Sequence, residues 1–166
     1  MPKNKQTKII VLRRDIDETT IRKLKQFKGA ILVTGNATFK DGTLIPSGLI
    51  VLGDLNAGDL TIMGNLLCGG ECTISNLTVM GDVSLEKERS LAEMRMVKIE
   101  GKLTSKESVN CIRMDVRGDV EVFASIYSSD IISGGKVFVE GDAVYSRLEA
   151  QSYDIRGKRV QITSYN

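Results

Sequence analysis

The chain has 166 residues, of which 42% are hydrophobic and only 5% aromatic, so one domain can bury a core but has few large side chains to fill it. With 23 basic and 21 acidic residues the net charge is +2, which gives no argument for nucleic-acid binding. No segment approaches the ~18 apolar residues of a membrane span, and the first apolar run is too short for a signal peptide.

The N-terminal region predicts a strand followed by a helix. Residues 8–12 have the composition of a short strand. Asp17 is a suitable N-cap and Gly29 a suitable C-terminal stop for a helix over residues 18–28. That helix would carry one narrow apolar stripe, formed by Ile21, Leu24 and Phe27. A single stripe predicts a helix that lies across one end of a larger body.

Short runs of alternating apolar residues recur from residue 30 onward, and each is closed by glycine. The runs are ILVTG, LIVLG, LTIMG, LTVMG, VKIEG, MDVRG, VFVEG and YDIRG. Alternation with a period of two predicts strands. Asp or Asn usually follows the glycine, which predicts a tight bend because these residues tolerate a left-handed backbone.

The spacing of the inward positions predicts a coil. Cys68 follows Val51 by 17 residues, Leu85 follows Cys68 by 17, and Val79 follows Ile62 by 17. Each interval divides into three steps of five or six residues, which indicates a turn with three sides. A fixed recurrence is typical of a solenoid, whereas a β-sandwich predicts turn signals every ~8–12 residues without one.

We therefore predict an all-β fold, a single-stranded right-handed β-helix (β-solenoid) of about seven short three-sided turns with an N-terminal capping α-helix. Residues 1–29 would form the tail, strand and capping helix, and residues 30–166 the solenoid. Longer intervals between glycines predict insertions near residues 86–95 and 128–135.

The predicted register places opposite charges on neighbouring turns. Lys98 falls on Asp115 and Glu100 falls on Arg117, with Glu140 continuing beside Arg117. Such pairs stabilise adjacent strands, whereas like charges would repel. Their alternation therefore favours this register.

Five apolar residues are candidates for an interaction surface. Met63 and Met80 precede Glu100 in its outward column, and Leu52 points outward on a neighbouring side. The final strand would expose Val160 and Ile162 as part of an uncovered core layer. Exposed apolar residues mark interfaces. The alternative for the methionines is that the helix or the first insertion folds over them.

The absence of histidine limits the chemistry of the chain. It offers no Ser–His or Cys–His nucleophile pair and no His-ligated metal centre. Cys68, Cys72 and Cys111 predict buried apolar side chains rather than a zinc site. Three cysteines cannot all pair, which fits a reducing, cytoplasmic compartment. We predict no catalytic, cofactor-binding or metal residues, and therefore no enzyme.

The runs LIVLGDL, LTIMGNL, LTVMGDV and MDVRGDV resemble those of bactofilins, the polymer-forming bacterial cytoskeletal proteins, over roughly residues 31–162. The resemblance implies a compact right-handed β-helix that stacks end to end into filaments. It implies fold and structural class but no functional residues. The chain departs from the family pattern in its polar start and in the predicted helix, which would block polymerisation at one end.

The predicted function is that of a non-catalytic structural or self-assembling protein that acts through its faces and ends. We expect a homo-oligomer, with a dimer favoured over a filament, in which the final strands over residues 158–166 pair tail to tail. The alternative is a protein-binding module with a specific partner, such as a toxin-neutralising or scaffold protein. A third possibility is an enzyme with an unrecognised carboxylate site. No nucleic-acid partner and no membrane span are expected.

Overall fold

The chain forms a parallel β-solenoid of about eight turns. The computed structural model describes residues 8–13, 18–23, 27 and 29–163. Within them, the one helical segment is α1 (Glu18–Lys23). The described part of the chain is otherwise built from strands, corners and one longer loop.

The described residues contain nineteen strands. In chain order they are β1 (Ile9–Leu12), β2 (Ala30–Val33), β3 (Ala37–Phe39), β4 (Thr43–Ile45), β5 (Gly48–Val51), β6 (Leu55–Ile62), β7 (Leu66–Cys68), β8 (Cys72–Val79), β9 (Val83–Leu85), β10 (Leu91–Ile99), β11 (Leu103–Ser105), β12 (Ser108–Val116), β13 (Val120–Val122), β14 (Ile126–Ser133), β15 (Lys136–Val139), β16 (Ala143–Tyr145), β17 (Arg147–Glu149), β18 (Ser152–Ile155) and β19 (Arg159–Gln161).

These strands lie in two sheets whose described pairs are all parallel. The first sheet has the order β1-β2-β5-β7-β9-β11-β13-β15-β18, and the second runs from β3 through the long strands β6, β8, β10, β12 and β14 to β16 and β19. Each turn thus contributes one short strand to the first sheet, followed in the second sheet by one long strand or by two short ones, β3 with β4 and β16 with β17. Seven turns are complete from β2 to β17, and β18 and β19 begin the eighth, a partial turn that the sequence count of about seven did not include.

Each long strand bends in its middle. In β8 the buried residues are Cys72 and Ile74, followed by Leu77 and Val79. The interval between Ile74 and Leu77 is three residues instead of two, so the alternation changes phase there. The strand consequently has two inward-facing segments, and each turn has three.

The core consists of columns of aliphatic side chains that repeat from turn to turn. The predicted inward residues Val51, Cys68 and Leu85 are at most 1% exposed, which confirms the 17-residue register. Another column runs through five successive strands as Leu60, Leu77, Val97, Met114 and Ile131. At about 25 cal/mol per Å² of apolar surface buried, these columns provide the main stabilisation of the coil.

Asp and Asn side chains satisfy backbone groups at the corners. The Oδ1 atom of Asn65 accepts the N–H of Asp82 at 2.8 Å, and Oδ1 of Asp82 accepts the N–H of Lys102 at 2.9 Å. These corners lead from the second sheet into the first. The corners that lead from the first sheet into the second repeat the arrangement, with Asn36 accepting the N–H of Asp54 at 2.8 Å. The Gly-Asp and Gly-Asn pairs of the sequence therefore connect consecutive turns, because a bend would leave these N–H groups without a partner.

The prediction that the corner glycines adopt a left-handed backbone conformation is wrong. Of the described glycines, Gly42 alone has a positive φ, at 77°. The corner glycines are needed for another reason, which Gly101 illustrates. A Cβ atom at Gly101 would lie 2.6 Å from the carbonyl oxygen of Gly81, one turn earlier. Consecutive corners approach so closely that only a residue without a side chain fits.

The predicted charge column is confirmed over its first turns. Lys98 is paired in register with Asp115, and Nε of Arg117 lies 2.7 Å from Oε2 of Glu100. Glu140, however, does not continue beside Arg117. The next residue in that column is Gly134, whose N–H bonds to Val116 at 2.9 Å.

The prediction for Glu140 was wrong because it treated Gly141 as the glycine that follows Gly118 in the same kind of corner. The N–H of Gly141 donates to the carbonyl of Ala124, so it belongs to the corner that precedes the long strand. Gly135 is the glycine that follows Gly118 by 17 residues. The insertion predicted near residues 128–135 is therefore absent, because these residues lie in β14 and the corner after it.

The insertion predicted near residues 86–95 is present but shorter. It is the loop of residues 86–90 between β9 and β10. Arg89 in this loop has a φ of 55°, the one positive value among the described non-glycine residues. The loop leaves the regular stack for three residues, since the N–H of Glu86 still bonds to Cys68 and that of Ser108 bonds to Ser90.

The N-terminal end of the coil begins with β1, which pairs in parallel with β2. Phe27 is half-buried and packs against the core, but it lies outside α1, so the helix predicted over residues 18–28 does not reach it. Leu24, Asp17 and the side chain of Ile21 lie outside the described residues, so the capping role of the helix stays a prediction.

The first prediction from this fold concerns Gly101. Replacing it by alanine should destabilise the protein by about 1–3 kcal/mol, because the new Cβ must push consecutive corners apart. Urea unfolding followed by circular dichroism measures this change. The matched control is Gly42→Asn, since Asn tolerates a positive φ and a Cβ at position 42 meets no atom within 4 Å. Equal stability of the Gly101→Ala variant and the wild type would contradict the close-approach explanation.

Candidate functional site

An apolar strip covers the outside of the first sheet on the early turns. Leu32, Ile50 and Leu67 are paired in register on β2, β5 and β7, and they point away from the core. The same outward column continues with Ser84 and Thr104 on the following turns. This column is therefore apolar on the early turns and polar from Ser84 to Glu121, and Phe138 makes it apolar again on a later turn.

The predicted residues Leu52, Met63 and Met80 flank this strip. They are 51%, 49% and 46% exposed, respectively, and Met63 and Met80 stack on consecutive turns at one edge of the sheet while Leu52 lies at the other. We call the six residues the apolar face: Leu32, Ile50, Leu52, Met63, Leu67 and Met80. The methionine column then continues with Glu100 and Arg117, so its change in character matches that of the sheet.

A groove of about 490 Å³ lies on the outside of the first sheet, within part of the apolar face. Gly48 and Gly64 leave its floor without side chains, and Ile50 and Leu67 form apolar walls. Asp82 places a carboxylate at its end. This combination of an apolar wall and a few polar groups is typical of a surface that binds another molecule.

Val160 and Ile162 are exposed, at 46% and 52%, but they do not belong to an uncovered core layer as predicted. In the β16–β19 pairing, Val160 lies on Val144, which faces outward. They line a second apolar area near the end of the coil, which also includes Tyr127. The structure therefore does not bring Val160 and Ile162 together with the apolar face.

The inward positions of the last strand carry polar side chains. Arg159 lies on the buried Ala143, and Gln161 lies on the buried Tyr145. The Arg159 guanidinium donates to the hydroxyl of Tyr145 and, at 2.7 Å, to that of Tyr153. It also lies 4.6 Å from the ring centroid of Tyr153, a cation–π distance. A cation thus covers part of the layer that the sequence predicted to be bare.

The interior contains one buried carboxylate that sequence reasoning did not identify. Glu107 is 0% exposed, and both of its carboxylate oxygens are buried without a hydrogen-bond partner. Burial raises the pKa of Glu107 from 4.5 to about 7, against the opposing charge of Lys87. A signal was available, because Ser105, Glu107 and Val109 share the inward parity of β11 and β12.

The loop of residues 86–90 explains this burial. At regular corners, a backbone N–H bonds to the corner one turn earlier, as Gly70 does with Gly53 at 2.9 Å. Glu107 instead donates its N–H to Oγ of Ser105 at 3.1 Å, and residues 87–89 of the loop beneath it lie outside the regular stack. The Oγ atom of Ser90, at the end of this loop, is also buried without a partner. The irregular turn thus contains buried polar side-chain atoms, of Ser90 and Glu107, that have no hydrogen-bond partner.

The three cysteines are free and buried, as predicted, with exposures of 0%, 0% and 5% for Cys68, Cys72 and Cys111. Among the described residues, no three acidic, cysteine or histidine side chains are arranged to hold a metal ion. No helix in the described part of the chain is long and apolar enough to cross a membrane.

No protein-family model, curated protein or solved structure matches this chain. The similarity to bactofilins therefore assigns no family, and what stands is the β-solenoid fold.

Glu107 should make stability depend on pH near neutrality. Folding raises the pKa of Glu107. Its contribution to the free energy of unfolding is therefore fully present below a pH of about 4.5 and is lost as the pH rises through about 7. We expect the free energy of unfolding to fall by about 1–3 kcal/mol between pH 5 and pH 8. The chain has no histidine to add its own titration in this range.

Urea unfolding at a series of pH values measures this effect. Glu107→Gln should flatten the profile, whereas Glu86→Gln should leave it unchanged, because salt bridging to Lys106 lowers the pKa of Glu86 instead. A wild-type profile that is flat from pH 5 to pH 8, or a Glu107→Gln variant with the wild-type slope, would refute this account.

Proposed function

We propose that this protein is a non-catalytic, self-assembling structural protein that works through the outer faces and ends of its coil. The observation that carries the proposal is the apolar face. Leu52, Met63 and Met80 are exposed beside a groove walled by Ile50 and Leu67, and the methionine column continues with the ion-paired Glu100 and Arg117. Contiguous exposed apolar surface on a soluble protein marks a site of association.

The bactofilin-like repeats support the same class of function, since polymer formation is what that resemblance implies. We further propose that the coil is right-handed and three-sided, supported by the general preference of parallel connections and by the three inward segments of each turn. Three free, buried cysteines support a reducing, cytoplasmic location.

The second candidate is a module that binds another protein. The groove supports it, because Ile50 and Leu67 offer apolar walls beside the carboxylate of Asp82. A partner with an apolar segment and a basic end would fit this chemistry. The two candidates differ in whether purified protein associates with itself.

Two interfaces compete within the self-assembly proposal. One is the apolar face, and the other is tail-to-tail pairing of the last strands through Val160 and Ile162. Because β19 ends the second sheet in the described chain, its outer backbone edge offers strand pairing. The outward direction of Val160 and Ile162 means that charged substitutions there leave the core intact, so both interfaces can be tested in the same way.

The prediction compares two double variants by light scattering at micromolar concentrations. Met63→Glu with Met80→Glu should shift wild-type oligomers to monomer, because stacked carboxylates would be desolvated in the interface. Val160→Glu with Ile162→Glu is the matched change at the other end and should leave the oligomer intact.

Loss of the oligomer in the Val160/Ile162 variant alone would assign association to the tail. A wild-type protein that stays monomeric over this concentration range would rule out self-assembly and favour the partner-binding candidate.

A further inference from the structure

The loop of residues 86–90 forms one side of a pocket on the outside of the coil. The pocket has a volume of about 540 Å³. It is lined by two residues of the loop and four residues of the following turns: Glu88, Arg89, Lys106, Phe123, Ala124 and Glu140. Because the loop supplies part of the lining, the pocket depends on the irregular turn.

Three of the lining side chains occupy the same position on consecutive turns. Lys106, Phe123 and Glu140 directly follow the short strands β11, β13 and β15, and their N–H groups bond to the end of the short strand one turn earlier. Paired strands are about 4.8 Å apart, so a cation, an aromatic ring and a carboxylate follow one another over about 10 Å. A ligand that lies along this line would meet these groups in a fixed order.

The charged groups of the pocket differ in whether they already have a partner. Nζ of Lys106 lies 2.8 Å from Oε2 of Glu86, so this cation is paired within the protein. Glu88, Arg89 and Glu140 form no ion pair and no side-chain hydrogen bond within the described part of the chain. The pocket therefore offers a ligand two carboxylates and one guanidinium, a balance that favours a ligand with one net positive charge.

The backbone of Arg89 is unfavourable for a residue with a long side chain. Its φ of 55° is the one positive value among the described non-glycine residues. Such outliers cluster at ligand-binding and active sites, where the surrounding structure holds a side chain in place. The loop thus holds the Arg89 guanidinium at the pocket in a strained conformation, and no described carboxylate pairs with it there.

The aromatic ring in the pocket belongs to a pair that already binds one cation. Phe123 is 46% exposed, and its ring centroid lies 5.7 Å from that of Phe138. The guanidinium of Arg156 lies 5.0 Å from the Phe138 centroid, a cation–π distance. Phe123 offers the same interaction to a cation in the pocket, with the carboxylate of Glu140 on the next turn.

We propose that this pocket binds a free basic amino acid, lysine or arginine. The α-carboxylate pairs with Arg89, and the α-ammonium pairs with Glu88, its neighbour in the loop. The aliphatic stem lies along Phe123, and the terminal cation reaches Glu140. None of these residues belongs to the apolar face, so the inference does not depend on the proposed self-assembly.

Other ligand classes fit the pocket less well. An anionic ligand would be repelled by Glu88 and Glu140, and an uncharged apolar ligand would desolvate three charges without pairing them. A peptide that ends in lysine shares the carboxylate and the terminal cation, but its α-nitrogen is an uncharged amide. The α-ammonium and Glu88 therefore distinguish the free amino acid from a peptide terminus.

Isothermal titration calorimetry of the full chain with L-lysine and L-arginine tests the proposal, at low ionic strength where exposed charges are least screened. We expect one molecule to bind per chain with a Kd of about 0.1–1 mM. Norleucine keeps the stem but lacks the terminal cation, and Nα-acetyl-lysine lacks the α-ammonium. Each should bind about tenfold more weakly than lysine. Nα-acetyl-lysine that binds as tightly as lysine would assign the pocket to a peptide terminus and overturn the proposal.

Variants assign each end of the ligand. Glu140→Gln should weaken lysine about tenfold and leave norleucine unchanged, because it removes the partner of the terminal cation. Arg89→Asn should weaken both ligands, since both carry the α-carboxylate and Asn tolerates the positive φ. Glu121→Gln is the matched control, an outward carboxylate of β13 outside the pocket, and should bind both ligands like the wild type.

Circular dichroism confirms that each variant keeps the fold, which is expected because the substituted side chains are exposed. A wild-type protein that binds neither lysine nor arginine up to about 10 mM would overturn the proposal. Equal affinity of the wild type for lysine and norleucine would also overturn it, as would wild-type lysine affinity in both Glu140→Gln and Arg89→Asn.

Discussion

The fold of this protein depends on backbone contact between consecutive turns of the coil. Backbone N–H groups bond to carbonyls of a neighbouring turn: Leu52 bonds to Val33 one turn earlier at 2.9 Å, and Leu49 bonds to Asn65 one turn later at 2.8 Å. Because the turns stack at the spacing of paired strands, every residue must be compatible with its counterparts above and below. Isoleucine and valine columns satisfy this condition inside, whereas at the corners the backbones come so close that a Cβ at Gly101 would meet the carbonyl of Gly81. The 17-residue repeat of the sequence follows from this backbone contact, which recurs on every turn.

The same constraint makes each outward column a unit with its own surface chemistry. Met63 and Met80 precede Glu100 and Arg117 in one column, and Ile50 and Leu67 precede Ser84 and Thr104 in another. Both columns change character at the same level of the coil, so apolar side chains on the early turns are followed by polar and charged ones on the next turns of the same columns. A substitution at one position of a column therefore acts on its neighbours as well. This coupling gives stacked carboxylates at positions 63 and 80 a larger effect than isolated ones would have.

The sequence was most informative where columns are regular. The 17-residue interval predicted the core column through Cys68 and the pairing of Lys98 with Asp115, because spacing alone determines both. Spacing was not sufficient to predict which face of a strand a residue lies on, or which corner a glycine belongs to. Gly118 and Gly141 are both followed by Asp but belong to different corners, and Val160 was assigned inward although its partner Val144 faces outward. Glu107 was missed since a glutamate beside a lysine is normally exposed, and its burial depends on a loop in the preceding turn.

That loop connects the regular and irregular features of the fold. In an uninterrupted stack, the corner below Glu107 would supply a carbonyl for its N–H and fill the space that its side chain occupies. Residues 87–89 leave the stack at this place, Oγ of Ser105 accepts the N–H of Glu107, and the carboxylate is fully buried. Desolvation then places its pKa near neutrality. The single interruption of backbone stacking thus coincides with a buried carboxylate in a coil whose other described turns bury almost entirely aliphatic side chains.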